Sequence, residues 1–167
     1  MAGISTLQEL YVDELKDLWS ANHQMAKALK KITKNASNEK LIDMLKSSQG
    51  GIAGHTELLK ELIETQDEKL KKEHCKGMEG LVAEAIKHTI DEAPQDGPVL
   101  DAAIIAQYQR MTHYGITGFG TVAAFAKALG LQDDADKLEA AVKEIHSADD
   151  LMTDIAESAV NAEAVDA

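Results

Sequence analysis

Metal or redox chemistry on a helical scaffold needs carboxylates and imidazoles that converge, and Glu-x-x-His is the spacing that puts both ligands on one helical face. The chain has six histidines, and none stands three residues after a glutamate. Glu84 and His88 are four apart and can share a face, which reads as an exposed ion pair. Glu144 and His146 point about 200° apart on a helix and cannot hold one ion together. The single Cys75 has His74 beside it, but adjacent residues face different ways and no third member of a catalytic set is evident. Gly118-Phe-Gly120 has no strand before it, so it is not a phosphate loop. No catalytic residue is assigned.

Polar residues interrupt apolar stripes at one point on each long segment. Glu14 falls between Tyr11 and Leu18, His55 between Ile52 and Leu59, and Asp149 between Ile145 and Met152. Gln109 and Thr112 lie on the stripe that continues to Ile116 and Phe119. A buried carboxylate is costly unless paired or hydrogen-bonded, so Glu14 and Asp149 need partners, and His55, Gln109 and Thr112 are available. Two readings stay open. One is a hydrogen-bonded core network that fixes helix register. The other is a single-metal site from Glu14, His55 and Asp149, assisted by Glu144 or His113, whose carboxylates and imidazole suit iron, manganese or zinc. No cofactor is favoured; iron or manganese is the alternative.

Those residues must be carried by helices. Thr6-Leu-Gln-Glu9 has the form of a capping box, and the stripe from Leu7 to Ile32 predicts a long amphipathic helix ending near Asn35. Ser37 or Asn38 caps a second, with Leu41, Leu45, Ile52, Leu59 and Leu62 on its inner face. The charged stretch from Gln66 to Glu73 reads as a loop, residues 76–92 as a shorter helix, and Ala93 to Pro98 as a break. A third long helix starts at Pro98, apolar almost all round, with Gly130 as its C-cap. A fourth begins around Gln132 and frays after Ala159. Each long helix would be about 40 Å long. The connection over 66–97 far exceeds the roughly 2 to 8 residues usual between bundle neighbours. One domain with a core over 6–158 is therefore expected: an all-α, ferritin-like four-helix bundle whose long crossover contains a short fifth helix.

Glycines stand in the middle of two of these helices: Gly50, Gly51 and Gly54 in the second, Gly115, Gly118 and Gly120 in the third. Each costs roughly 0.8 to 1 kcal/mol against alanine. The expectation is a close waist at which Gly51, Gly54, Gly115 and Gly118 let helices touch; a small-molecule cavity is the other reading.

Leu10-Tyr-Val-Asp-Glu14-Leu-Lys-Asp-Leu-Trp19, Ser37-Asn-Glu-Lys-Leu41, Cys75-Lys-Gly-Met-Glu-Gly-Leu81, Asp101-Ala-Ala-Ile-Ile105, His113-Tyr114 and Phe119-Gly-Thr121 resemble the YciE/YciF-type ferritin-like family of bacteria. The resemblance runs from about residue 6 to 158. It implies a helical bundle, usually dimeric, linked to stress responses, with a di-metal site of unassigned activity. It also implies acids at the positions of Gly50, Gly51, Thr112, Gly115 and Ile145, where this chain has none. Glu14, Glu144 and Asp149 stay in register. The fold is expected to carry over and the di-metal centre is not.

Composition narrows the partners. Lys plus Arg number 17 against 29 Asp plus Glu, a net charge of -12, which opposes binding to nucleic acid or to an anionic membrane. No apolar run reaches the roughly 20 residues of a membrane span, and no basic segment followed by an apolar one suggests a secretory leader. With one cysteine there is no internal disulfide, which suits a reducing cytoplasm. A cytoplasmic homodimer with a structural or interaction role is expected, with Tyr11, Trp19 and the crossover helix as candidates for its surface. A metal-binding protein with weak oxidase activity is the alternative.

Overall fold

Residues 3–68 and 73–167 are described by the structure, a computed structural model. Residues 69–72 of the expected Gln66–Glu73 loop lie outside them. Helix α1 (Leu7–Ile32) opens on the expected capping box: Thr6 Oγ1 accepts from the Glu9 amide at 3.1 Å, and Glu9 accepts from the Thr6 amide at 3.1 Å. A short 3-10 turn, Thr33–Asn35, ends it. Helix α2 (Glu39–Thr65) is capped by Asn38, whose side chain accepts from the Leu41 amide. Helix α3 (Lys76–Ile86) runs on into a wide turn, Lys87–Asp91. Pro98 opens helix α4 (Pro98–Ala128). Gly130, at φ +76°, closes it, with the Leu131 amide donating to the Ala126 carbonyl at 2.9 Å. Helix α5 (Gln132–Ile155) follows, with Asp133 and Asp134 at its positive end.

The tail departs from expectation. It continues through a wide turn, Ala156–Val160, into a short helix α6 (Asn161–Val165) that packs on α4. Val160 is fully buried there, and burying that apolar side chain holds a segment whose composition alone suggested fraying.

The four long helices form a ring in the order α1, α2, α5, α4, and α3 lies over α1 and α4. Side-chain bonds set the directions. Near the start of α1, Gln8 meets Gln66 and the Tyr11 hydroxyl meets Asp134 at 3.1 Å, which brings together the end of α2 and the beginning of α5. Past the other end of α1, Ser37 meets Asp101 of α4. Helices α2 and α4 therefore run parallel, and the crossover over 66–97 travels the length of the bundle between them.

The apolar interior falls into two clusters. One is built around Met25, Leu29, Leu41, Ile104, Tyr108 and Met111 and includes α3; the other is built around Tyr11, Leu15, Leu59, Phe119, Val122 and Leu138. Tyr11 is wholly buried in the second cluster, so it belongs to no outer surface, contrary to its place among the dimer candidates. Among the described residues there is no strand, and no helix is long and apolar enough to cross a membrane.

Candidate functional site

At the waist the two apolar clusters do not close on each other. A cavity of about 410 Å³ lies there, with Ala21, Met25, Ile52, Tyr108 and Met111 from one cluster and Leu18 and Phe119 from the other in its walls. It opens between α2 and α5, whose rim residues Gly51, Glu144, Ser147 and Leu151 are exposed. Met78 of α3 and Tyr114 of α4 line it as well.

The mid-helix glycines explain part of that space, and they correct the expectation of a uniformly close waist. Beyond its own turn of helix, no atom lies within 4 Å of where a Cβ would stand on Gly51 or Gly54, and at Gly115 the single such neighbour is the Ile145 Cδ1 at 3.9 Å. The backbones pass too far apart at these levels for the glycines to be contact points. Gly118 differs. A Cβ there would overlap the Leu18 side chain, so α1 and α4 do approach closely at that residue. Gly77 is similar, facing the Tyr114 ring.

The polar interruptions separate into different groups. His55 Nε2 meets Glu144 Oε2 at 2.7 Å, an α2–α5 bridge with a nearly buried imidazole and an exposed carboxylate. Asp149 accepts from Gln109 Nε2 at 3.2 Å and faces His113 Nε2 at 2.9 Å. Gln109 also donates to Thr153 Oγ1 at 2.9 Å. Glu14 lies in another groove, beside Asp17, Arg110 and His113. Among the described residues it makes no hydrogen bond or ion pair, and no three His, Cys, Asp or Glu side chains come together where they could hold a metal ion. Helix phase is the reason. Each stripe is legible alone, but its rotation against the next helix decides which polar groups meet. His88 and Glu84 form the exposed pair their spacing suggested, at 3.0 Å.

Burial pushes the Glu14 carboxyl above its ordinary range, and the charges of Asp17 and Asp13 add to the shift. A raised carboxyl titration means the folded protein binds this proton more tightly than the unfolded chain does. The ionised group therefore costs stability once pH exceeds the unfolded value of about 4.3. Glu14→Gln should be more stable than the parent at pH 7, by less than about 1 kcal/mol because the group is partly solvated. Urea unfolding at pH 7 and pH 4 measures this, and the gain should vanish at the lower pH.

Three features had weaker sequence signals. Asn22 stands between Leu18 and Met25 at steps of four and three, beside the apolar Ala21 that shares the stripe, and is 7% exposed. Cys75 caps α3, accepting from the Met78 amide at 3.3 Å, and its sulfur lies 3.0 Å from the Tyr114 hydroxyl, which donates to Asp17 at 2.8 Å. Burial raises that thiol's titration, so it stays protonated and serves as a structural link rather than a nucleophile. Asp101, 2% exposed, gathers the amides of Ser37 and Asn38 and the Ser37 hydroxyl, a role its sequence context did not announce.

Known proteins share this arrangement. Protein YciF of Escherichia coli (strain K12) is 33% identical over 163 residues, 97% of each chain. The crystal structure of the E. coli stress protein YciF superposes with a TM-score of 0.87, over 95% of this chain and 99% of that one. YcfI from Rhodopseudomonas palustris, a proposed structural protein, superposes at 0.84 with 32% identity, over 90% of this chain and 94% of that one. Residues 6–165 match the family described as a domain of unknown function, DUF892. With its bundle, its crossover and nearly its whole length in common with them, this chain is a member of the DUF892 family to which its likeness to YciF points.

Proposed function

We propose that this protein is a ferritin-like bundle of the bacterial stress-response type without a working di-metal centre, acting in the cytoplasm as a structural or interaction protein and as a homodimer. The parallel α2 and α4 with one long crossover support the ferritin-like reading. The stress association rests on the likeness to YciF.

One observation carries the non-metal reading. Four of the positions where the family resemblance implies acids, those of Gly51, Thr112, Gly115 and Ile145, line the apolar waist cavity. Of the carboxylates that stay in register, Glu144 is exposed at the cavity rim and bonded to His55, Asp149 is held by Gln109 and His113, and Glu14 lies in another groove. This donor set does not fit a metal pair, which needs about four carboxylates facing one centre.

Elemental analysis of protein purified without an affinity tag, before and after anaerobic incubation with ferrous iron, tests the reading. Far less than one metal per chain is expected, with a thermal midpoint unmoved by chelator. Two metals per chain would overturn it. One per chain, lost in Glu14→Ala, would favour the single-site iron or manganese alternative using Glu14, His55 and Asp149.

A further inference from the structure

The waist cavity holds two buried polar groups with no partner among the described residues, the Asn22 side-chain nitrogen and the Thr112 hydroxyl. Their residues are 7% and 3% exposed. Thr112 is anomalous within its own protein. Thr56 and Thr89, buried helical threonines too, return their hydroxyls to the carbonyl four residues back, each at 2.7 Å. Thr112 forms no such bond; its hydroxyl faces the Tyr108 hydroxyl and polarises it without hydrogen-bond geometry, and Tyr108 is itself bonded to Ser48 at 2.7 Å. An unpaired buried amide or hydroxyl costs roughly 1 to 3 kcal/mol. Asn22 bears that cost in full and Thr112 in part, and both line one space whose walls are otherwise mainly apolar.

We infer that this cavity is a binding site for a small neutral apolar molecule carrying one carbonyl or hydroxyl oxygen, which accepts from Asn22 and pairs with Thr112. The volume suits it. An apolar cavity of about 150 Å³ holds benzene, so about 410 Å³ accommodates on the order of ten to fifteen non-hydrogen atoms, and it falls within the usual range of ligand pockets. The charge pattern selects a neutral occupant. Lys143 and Glu144 are exposed at the rim, and His55 is held by Glu144, so among the described residues no free cation in the interior would face a buried anion. The inference rests on the non-metal reading above, because the positions that would carry metal ligands line this same cavity; metal content tests that reading, and the ketone titration tests the occupant of the metal-free protein separately.

Calorimetric titration of the full chain with 2-nonanone, nonane and nonanoate tests the inference, together with nitrogen-15 spectra of the Asn22 side-chain amide. The ketone should bind once per chain, at least about tenfold more tightly than the other two, and should move the Asn22 amide resonances. Asn22→Leu should erase the ketone's advantage over the alkane while raising the thermal midpoint, because an unpaired amide is removed. Thr112→Val should weaken ketone binding without loss of fold. Absence of saturable binding by the ketone would overturn the assignment. So would binding that leaves the Asn22 resonances still, or that both variants retain at full strength. Ketone affinity that falls as protein concentration rises would also overturn it, assigning the mouth to a second copy of the chain.

Discussion

Asp101→Ala should lower the unfolding free energy by about 1 to 3 kcal/mol, the range for leaving hydrogen-bond donors without their charged acceptor. The carboxylate is 2% exposed and accepts from the Ser37 amide at 2.8 Å, the Ser37 hydroxyl at 2.6 Å and the Asn38 amide at 2.9 Å. It sits in the first turn of α4 while bonding the residues that lead into α2, so its negative charge serves the positive ends of two helices. Without it, three donors near the α1–α2 turn lose their acceptor, and the clamp between that turn and α4 is released. Asp101→Asn should recover part of the loss, since one oxygen still accepts while the new amide faces donors. Denaturant unfolding of both variants, with exposed Asp91→Ala as the control, measures the effect. A loss below about 1 kcal/mol for Asp101→Ala would show that water replaces the carboxylate at little cost.

Alanine at Gly50, Gly51 and Gly54 together should raise stability by about 2 to 3 kcal/mol, summing roughly 0.8 to 1 per site. All three lie inside α2, are exposed, and have no atom beyond their own turn of helix within 4 Å of the added carbon. For a chain of this size the change corresponds to roughly 4 to 12 °C in the thermal midpoint. Gly118→Ala should move the other way. Its new carbon would overlap Leu18, which is 1% exposed and enclosed in the core, so the gain in helix propensity is outweighed by overpacking of about 1 to 3 kcal/mol. A thermal melt separates the two cases directly. Stabilisation by Gly118→Ala would mean that Leu18 moves aside freely.

These results bear on how the waist works. The glycines of α2 mark positions where side chains are missing, and one of them, Gly51, borders the mouth of the cavity. Gly118 marks the place where α1 and α4 touch. One residue type therefore has two opposite meanings within one bundle, and sequence spacing does not separate them. What separates them is the distance between neighbouring backbones.

The helices themselves were legible from local chemistry. The capping box at Thr6 and Glu9, Asn38 as a cap, Pro98 at a helix start and Gly130 at a helix end all act within a turn or two of chain, and all stand where their residue types suggest. The length of the 66–97 connection separated one crossover from a simple up-and-down bundle for an equally local reason, since it exceeds what adjacent helices need. Three outcomes depended on tertiary structure. Val160 is held by packing against the bundle, not by helix propensity. Glu14, His55 and Asp149 lie on three helices, and the relative rotation of those helices gave His55 to Glu144 and Asp149 to Gln109 and His113. Asn22 and Thr112 became a pair of unpartnered polar groups because two apolar clusters stop short of each other at the waist. Periodicity determines which face of a helix is buried; only the packing of helices against one another decides what that face meets.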